Sequence, residues 1–162
     1  MEIKIKLFDD ICLPVKAEGG DWYDLFASKD VFVPSSIVKP ILIPLGIAVE
    51  LPEGYEAHIV PRSSTFKTWG IIQTNHMGVI DESYNGDNDQ WRFPAYCLCP
   101  KTCMDGVLGS FIHRGDKICQ FRIMEHQPEF NFIKVDSLLE MQTVVVLEVP
   151  EQPKIYLGAP IR

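Results

Sequence analysis

Apolar and polar residues alternate with period two along much of this chain, beginning at Met1-Glu2-Ile3-Lys4-Ile5-Lys6. That period puts successive side chains on opposite faces of an extended backbone, so it predicts half-buried strands. The pattern places strands at Ile3–Phe8, Val31–Val33, Ile41–Ile43, Ala48–Leu51, Tyr55–Val60, Ile71–Asn75, Phe93–Leu98 and Lys117–Met124. Twelve prolines and 11 glycines interrupt it, and Pro52-Glu53-Gly54 marks a turn between two strands. Helical periodicity is scarce, confined to one or two turns at Thr65-Phe66-Lys67-Thr68-Trp69. Many short strands with one short helix predict an all-β barrel or jelly roll.

Composition narrows the class. A chain of 162 residues with 46% hydrophobic and 23% charged content suits one soluble domain with a sizeable core. No apolar run reaches the length of a membrane span, and the N-terminus alternates like a strand instead of resembling a signal peptide. Five cysteines, an odd number without a secretory signal, point to a reduced cytoplasmic setting. A formal charge of −7 argues against gripping a nucleic-acid backbone. It leaves room for a small phosphorylated ligand held by a few cations and a metal.

Two stretches carry candidate chemistry. Thr74-Asn75-His76-Met77-Gly78 reads as a hairpin turn, and Gly78-Val79-Ile80-Asp81-Glu82-Ser83-Tyr84 follows it with a lone acid and an aromatic ring. Such a segment can bind a flat ring with its backbone while the acid polarises a water; it also suits a turn aspartate before a core tyrosine. Pro61-Arg62-Ser63-Ser64 leads into the short helix. Ser63 or Ser64 would cap it, with free N–H groups and Arg62 offered to an anion, or the four residues are an ordinary turn with a surface arginine. Cys97, Cys99 and Cys103, with His113 beyond, do not match structural zinc spacing, and buried reduced thiols are the better reading. Cys97 and Cys99 are expected on one face of a strand. Trp22, Trp69 and Trp91 read as packing residues, although Trp91, after the polar loop Asn85–Gln90, also suits the border of a site.

Taken in order, these pieces resemble the trimeric dUTPases, within them the form of Bacillus-type bacteria and their phages. Asp21-Trp22-Tyr23-Asp24-Leu25 is similar to the family's first motif and Pro61-Arg62-Ser63-Ser64 to the second. Gly78 to Gly86 is similar to the third, and Arg114-Gly115-Asp116-Lys117-Ile118-Cys119-Gln120-Phe121 to the fourth. The resemblance implies a dUTPase-like distorted jelly roll, a homotrimer, and hydrolysis of dUTP to dUMP and pyrophosphate with Mg2+. It implies that Asp81 deprotonates the attacking water, and that Asn75 with Gly78, Val79 and Ile80 reads uracil. It further implies that Tyr84 stacks on the deoxyribose, that Arg62, Ser63, Ser64 and Gln120 hold phosphate oxygens, and that Asp24 reaches Mg2+ through a water. Neither nucleic acid nor membrane is an expected partner. A non-catalytic dUTP-binding or regulatory protein, and a dCTP deaminase-like enzyme, are the alternatives on this fold.

The chain departs from the family at its end. The fifth motif, a glycine-rich arm of the type R-G-G-F-G-S-T-G, is missing. The expected division is a dUTPase-like β domain over 1–138 and an atypical tail over 139–162. Glu140 to Gln152 can be encoded by a string which, started two bases later, reads N-A-D-R-G-G-F-G-S-T-G-T. The tail from about Leu139 is thus expected to be an out-of-frame reading of a normal arm, with activity compromised by its loss.

Overall fold

The computed structural model describes residues 1–36 and 39–138; the tail over 139–162, and with it the expected out-of-frame reading, lies outside the described residues. Among these, the strands in chain order are β1 (Lys4–Leu7), β2 (Val15–Lys16), β3 (Tyr23–Phe26), β4 (Val31–Pro34), β5 (Ile41–Pro44), β6 (Ile47–Glu50) and β7 (Tyr55–Pro61). After helix α1 (Thr65–Trp69) come β8 (Ile71–Gln73), β9 (Gly78–Ile80), β10 (Arg92–Cys97), β11 (Thr102–Met104), β12 (Val107–Ile112) and β13 (Lys117–Glu125). The all-β expectation with one short helix holds. Met1–His126 is one compact unit, and a second begins at Gln127, where Phe130 meets Phe132 edge to face at 5.2 Å.

Four antiparallel sheets surround one core in the first unit: β1-β6, β5-β10-β8, β11-β12-β4 and β2-β3-β13-β7-β9. Leu25, Ile43, Ile59, Trp91, Phe93 and Ile118 meet at its centre, each fully or almost fully buried. Trp91 is fully buried and stands edge-on to Phe121 at 5.3 Å, which makes it a packing residue. Strand β13 is the central member of the largest sheet, paired with β7 from Cys119 to Glu125 and with β3 from Lys117 to Phe121.

The strands that alternation missed have physical reasons for escaping it. β3 buries Asp24, Leu25 and Phe26 in succession, so period two is absent. β12 holds Gly109, where a Cβ would come within 2.5 Å of the Phe32 ring and the Val33 carbonyl, and a fully buried Ser110. β11 is exposed throughout. Two further expectations are corrected. Strand β10 ends at Cys97, so Cys99 lies beyond it and is exposed while Cys97 is buried. The turn at 74–77 is not a hairpin: β8 pairs with β10 and β9 with β7, so it carries the chain from one sheet to another.

Helix α1 closes on Gly70, whose φ of 63° is left-handed and whose N–H reaches the Phe66 carbonyl at 2.7 Å. The Gly70 carbonyl accepts from Leu98 N at 2.9 Å and Cys99 N at 3.1 Å, which draws the two backbones together. A Cβ at Gly70 would lie 1.7 Å from the Cys99 carbonyl oxygen. Gly70→Ala is therefore expected to lower stability by about 2 kcal/mol or more, left-handed strain adding to the clash. Urea unfolding followed by tryptophan fluorescence would show it, and an unchanged midpoint would mean the backbone there yields freely.

Candidate active site

One cluster forms where β3, β13 and β7 run side by side. Gln120 is the register partner of Asp24 on one side and Val60 on the other, so the three side chains share a face. Asp24 is buried, its side chain 4% exposed, and faces two cations. Its Oδ1 is 2.8 Å from Arg62 Nε, an ion pair without the alignment of a hydrogen bond. Its Oδ2 is 3.3 Å from Lys117 Nζ. Arg62 Nη1 also donates to the Lys117 carbonyl at 3.3 Å, and Gln120 Nε2 to the Pro61 carbonyl at 3.5 Å. One carboxylate between two partly exposed cations leaves a local excess of positive charge, suited to an anion. With both oxygens facing cations, Asp24 offers no direct ligand to a dication. No group of three His, Cys, Asp or Glu residues able to hold a metal occurs among the described residues.

The loop Pro61–Ser64 is fixed by a residue that sequence reasoning passed over. Thr65 is fully buried; its Oγ1 donates to the Ile118 carbonyl at 2.8 Å and accepts from Arg62 N at 2.9 Å. Both capacities of the hydroxyl are used, and the loop is pinned to β13. The expected capping role of the serines is not seen: Ser64 is at the N-cap position with no side-chain cap bond. Ser63 is exposed and Ser64 half-buried. Lys117 is a second residue that the sequence reading gives no role, although its place in Arg114-Gly115-Asp116-Lys117 opens the strand that carries Gln120.

The second cluster lies at the sheet edge, on β9. Gly78 packs so closely that a Cβ would meet Ile59 Cβ and Gln73 Nε2 at 3.3 Å each. Gln73 is buried and donates from Nε2 to the Ile59 carbonyl at 3.2 Å. Asn75 and Val79 are exposed and Ile80 half-buried. Tyr84 is exposed, with its hydroxyl 3.4 Å from the Gln90 carbonyl.

Asp81 is exposed at the end of β9. Its Oδ1 accepts from Ser83 N at 2.9 Å and Ser83 Oγ at 2.5 Å, which leaves Oδ2 unengaged by these bonds and available to a water. The Ser83 hydroxyl first, then its N–H, hold the Asp81 carboxyl below the usual carboxylate range, with a smaller contribution from His126. Three strand spacings separate β3 from β9, or about 14 Å. One copy therefore sets the Asp24–Gln120 cluster and the Asp81–Tyr84 loop apart on the same sheet.

A depressed pKa means that Asp81 stays ionised as the pH falls below its ordinary titration range. Ser83→Ala removes the larger donor, so the Asp81 midpoint is expected to rise toward that of a free aspartate. A carboxyl carbon NMR titration of parent and variant would read it, and coincident curves would show that Ser83 does not hold the charge.

Residues 11–89 match the family model described as dUTPase. The chain is 55% identical over 139 residues to the SPβ prophage-derived deoxyuridine 5'-triphosphate nucleotidohydrolase of Bacillus subtilis strain 168, covering 85% of this chain and 90% of that protein. Its fold is similar to that of the Streptococcus mutans dUTPase, with a TM-score of 0.66 at 19% identity over 78% of this chain and 98% of the other. A dUTPase mutant from phage phi11 of S. aureus, whose structure concerns coordination of a structural Mg(II) ion, gives the same TM-score and identity over 85% and 99%. With that degree of identity to the Bacillus protein along nearly its whole length, the chain belongs to the dUTPase family.

Proposed function

We propose that this chain hydrolyses dUTP to dUMP and pyrophosphate. The observation that carries the reading is the kinship with the Bacillus nucleotidohydrolase joined to an Asp81 carboxylate with one oxygen held and the other open. Asp81 Oδ2 orients a water and takes its proton while the water oxygen bonds to phosphorus. The bridging oxygen between the α- and β-phosphates leaves with its electron pair, giving dUMP and pyrophosphate. Asn75 and the backbone at Gly78, Val79 and Ile80 read uracil and discriminate against thymine. Tyr84 lies on the deoxyribose. Arg62, Ser63, Ser64 and Gln120 hold phosphate oxygens; the serine hydroxyls are not spent on capping α1, and Asp24 holds Arg62 and Lys117 in place.

Mg2+ is part of the substrate in this reading. Asp24 would reach it through a water, because two cations already face that carboxylate, and the ion would supply charge neutralisation of the triphosphate. The setting is cytoplasmic, in a bacterial cell or phage-infected host. The separation of the two clusters on one copy supports a homotrimer in which uracil is read by one subunit and phosphates are held by its neighbour. Sedimentation should give a trimer at micromolar concentration. A stable monomer under those conditions would remove the shared site.

The tail beyond 138 is read as a frameshifted arm whose loss lowers turnover more than binding, since a closing arm acts mainly in the reacting state. Pyrophosphate release from dUTP tests the function as a whole. Asp81→Asn should lower it by at least about 100-fold while dUTP still binds, because the amide keeps the shape of the carboxylate but is no base. Restoring the frame from Leu139 should raise kcat by about 100-fold and leave the preference for dUTP over dTTP and UTP nearly unchanged. Parental turnover in the Asp81→Asn variant would place the base elsewhere, and equal turnover with the restored frame would make the arm dispensable.

A further inference from the structure

The loop that carries Asp81 begins where its ladder stops. β9 pairs with β7 through Gly78, Val79 and Ile80, so Asp81 lies one residue past the last pair. From Asp81 to Asn88 every residue is exposed except Glu82, which is half-buried. Its Oε2 accepts from Gly54 N at 2.7 Å. Gly54 belongs to the turn before β7, with a φ of 80° that few residues other than glycine adopt. The Gly54 carbonyl accepts from His126 N at 2.9 Å, one residue past the end of β13. One glycine thus holds the Asp81 loop on its N–H and the end of the central strand on its carbonyl. A carboxylate bonded to a backbone N–H at this distance is a short, charge-assisted contact.

We propose that Glu82 is a positioning residue for Asp81, its bond to Gly54 clasping the exposed loop to the β6–β7 turn and, through that glycine, to the end of β13. The inference rests on Asp81 being the base of the proposed reaction. Glu82 turns toward Gly54, and its task is to fix where the free oxygen of Asp81 stands. A carboxylate next to the base has a rival role, that of a second base. The two roles differ chemically: a glutamine accepts the same hydrogen bond but takes up no proton. The charged side chain that acts on Asp81 through space is His126, and Glu82 adjoins it in the chain.

The test uses full-length Glu82→Ala and Glu82→Gln beside the parent. Glu82→Ala is expected to lower kcat by about tenfold to 100-fold and to change KM by less than about threefold, since misplacing a catalytic group costs rate more than binding. Glu82→Gln should restore kcat to within about threefold of the parent. Two measurements need no turnover. In Glu82→Ala, hydrogen exchange at the Gly54 N–H should quicken by about tenfold or more, and the Asp81 midpoint should move toward that of a free aspartate as the loop loosens. Glu82→Gln should leave both near the parent. If neither the parent nor the frame-restored chain releases pyrophosphate, the dUTPase reading falls while exchange and titration still decide the clasp. A Glu82→Gln variant as slow as Glu82→Ala would make Glu82 a base or an essential charge and overturn the proposal. So would a Glu82→Ala variant with parental kcat, or one with parental Gly54 exchange and Asp81 midpoint.

Discussion

The two-sided pairing of β13 is the constraint from which the site's geometry follows. Because Lys117–Glu125 is hydrogen-bonded to β3 on one side and β7 on the other, its residues have almost no freedom of register. A shift by one residue would exchange the faces, burying Gln120 and Arg122 and expelling Cys119 and Phe121. The core forbids that: Ile118 and Cys119 are fully buried and Phe121 packs against Trp91. Burial of Ile118 and of Phe121 contributes roughly 1.5–3 kcal/mol each. Hydrophobic packing therefore fixes the register, and the register places Gln120 beside Asp24.

Electrostatics complete the face that carries Asp24 and Gln120. Two cations on one buried carboxylate are each restrained, yet together they exceed its charge by one. The Thr65 hydroxyl ties Arg62 N to the Ile118 carbonyl, so the loop bearing Arg62 is referred to the same strand as Gln120. Cys119 sits beneath this face; burial first, then the nearby Asp24, push its thiol well above its ordinary pKa. It stays protonated and serves as packing, consistent with the free state of every cysteine among the described residues.

The other end of the site is built by opposite means. Past Ile80 there is no ladder, and the Asp81–Tyr84 loop keeps its shape through short polar bonds. Ser83 folds back onto Asp81, and Glu82 reaches out to Gly54. An exposed carboxylate held by neutral donors remains ionised and accessible to water. The same carboxylate buried in the core would have its pKa raised and would lose that access. Cations held on a packed sheet and an exposed carboxylate on a tethered loop are the two halves of the proposed site.

The sequence by itself determined the all-β class, the short helix at Thr65–Trp69, eight strands to within one or two residues, and the ordered motifs that mark the family. Those are local properties: alternation, turn residues and short runs whose chemistry depends on neighbours in the chain. What it could not determine is contact between residues far apart in it. Asp24 meets Arg62 and Lys117 across two strands, Thr65 meets Ile118, and Glu82 meets Gly54, none of which period or spacing encodes. β3 and β12 went unread because burial on both faces, or a glycine making room for Phe32, erases alternation. The supposed hairpin at 74–77 looked local but is a sheet-to-sheet corner, since only the tertiary fold decides which strands β8 and β9 join. Register, ion pairing and corner geometry are set by the packing of the whole core, and for that reason only the tertiary structure could decide them.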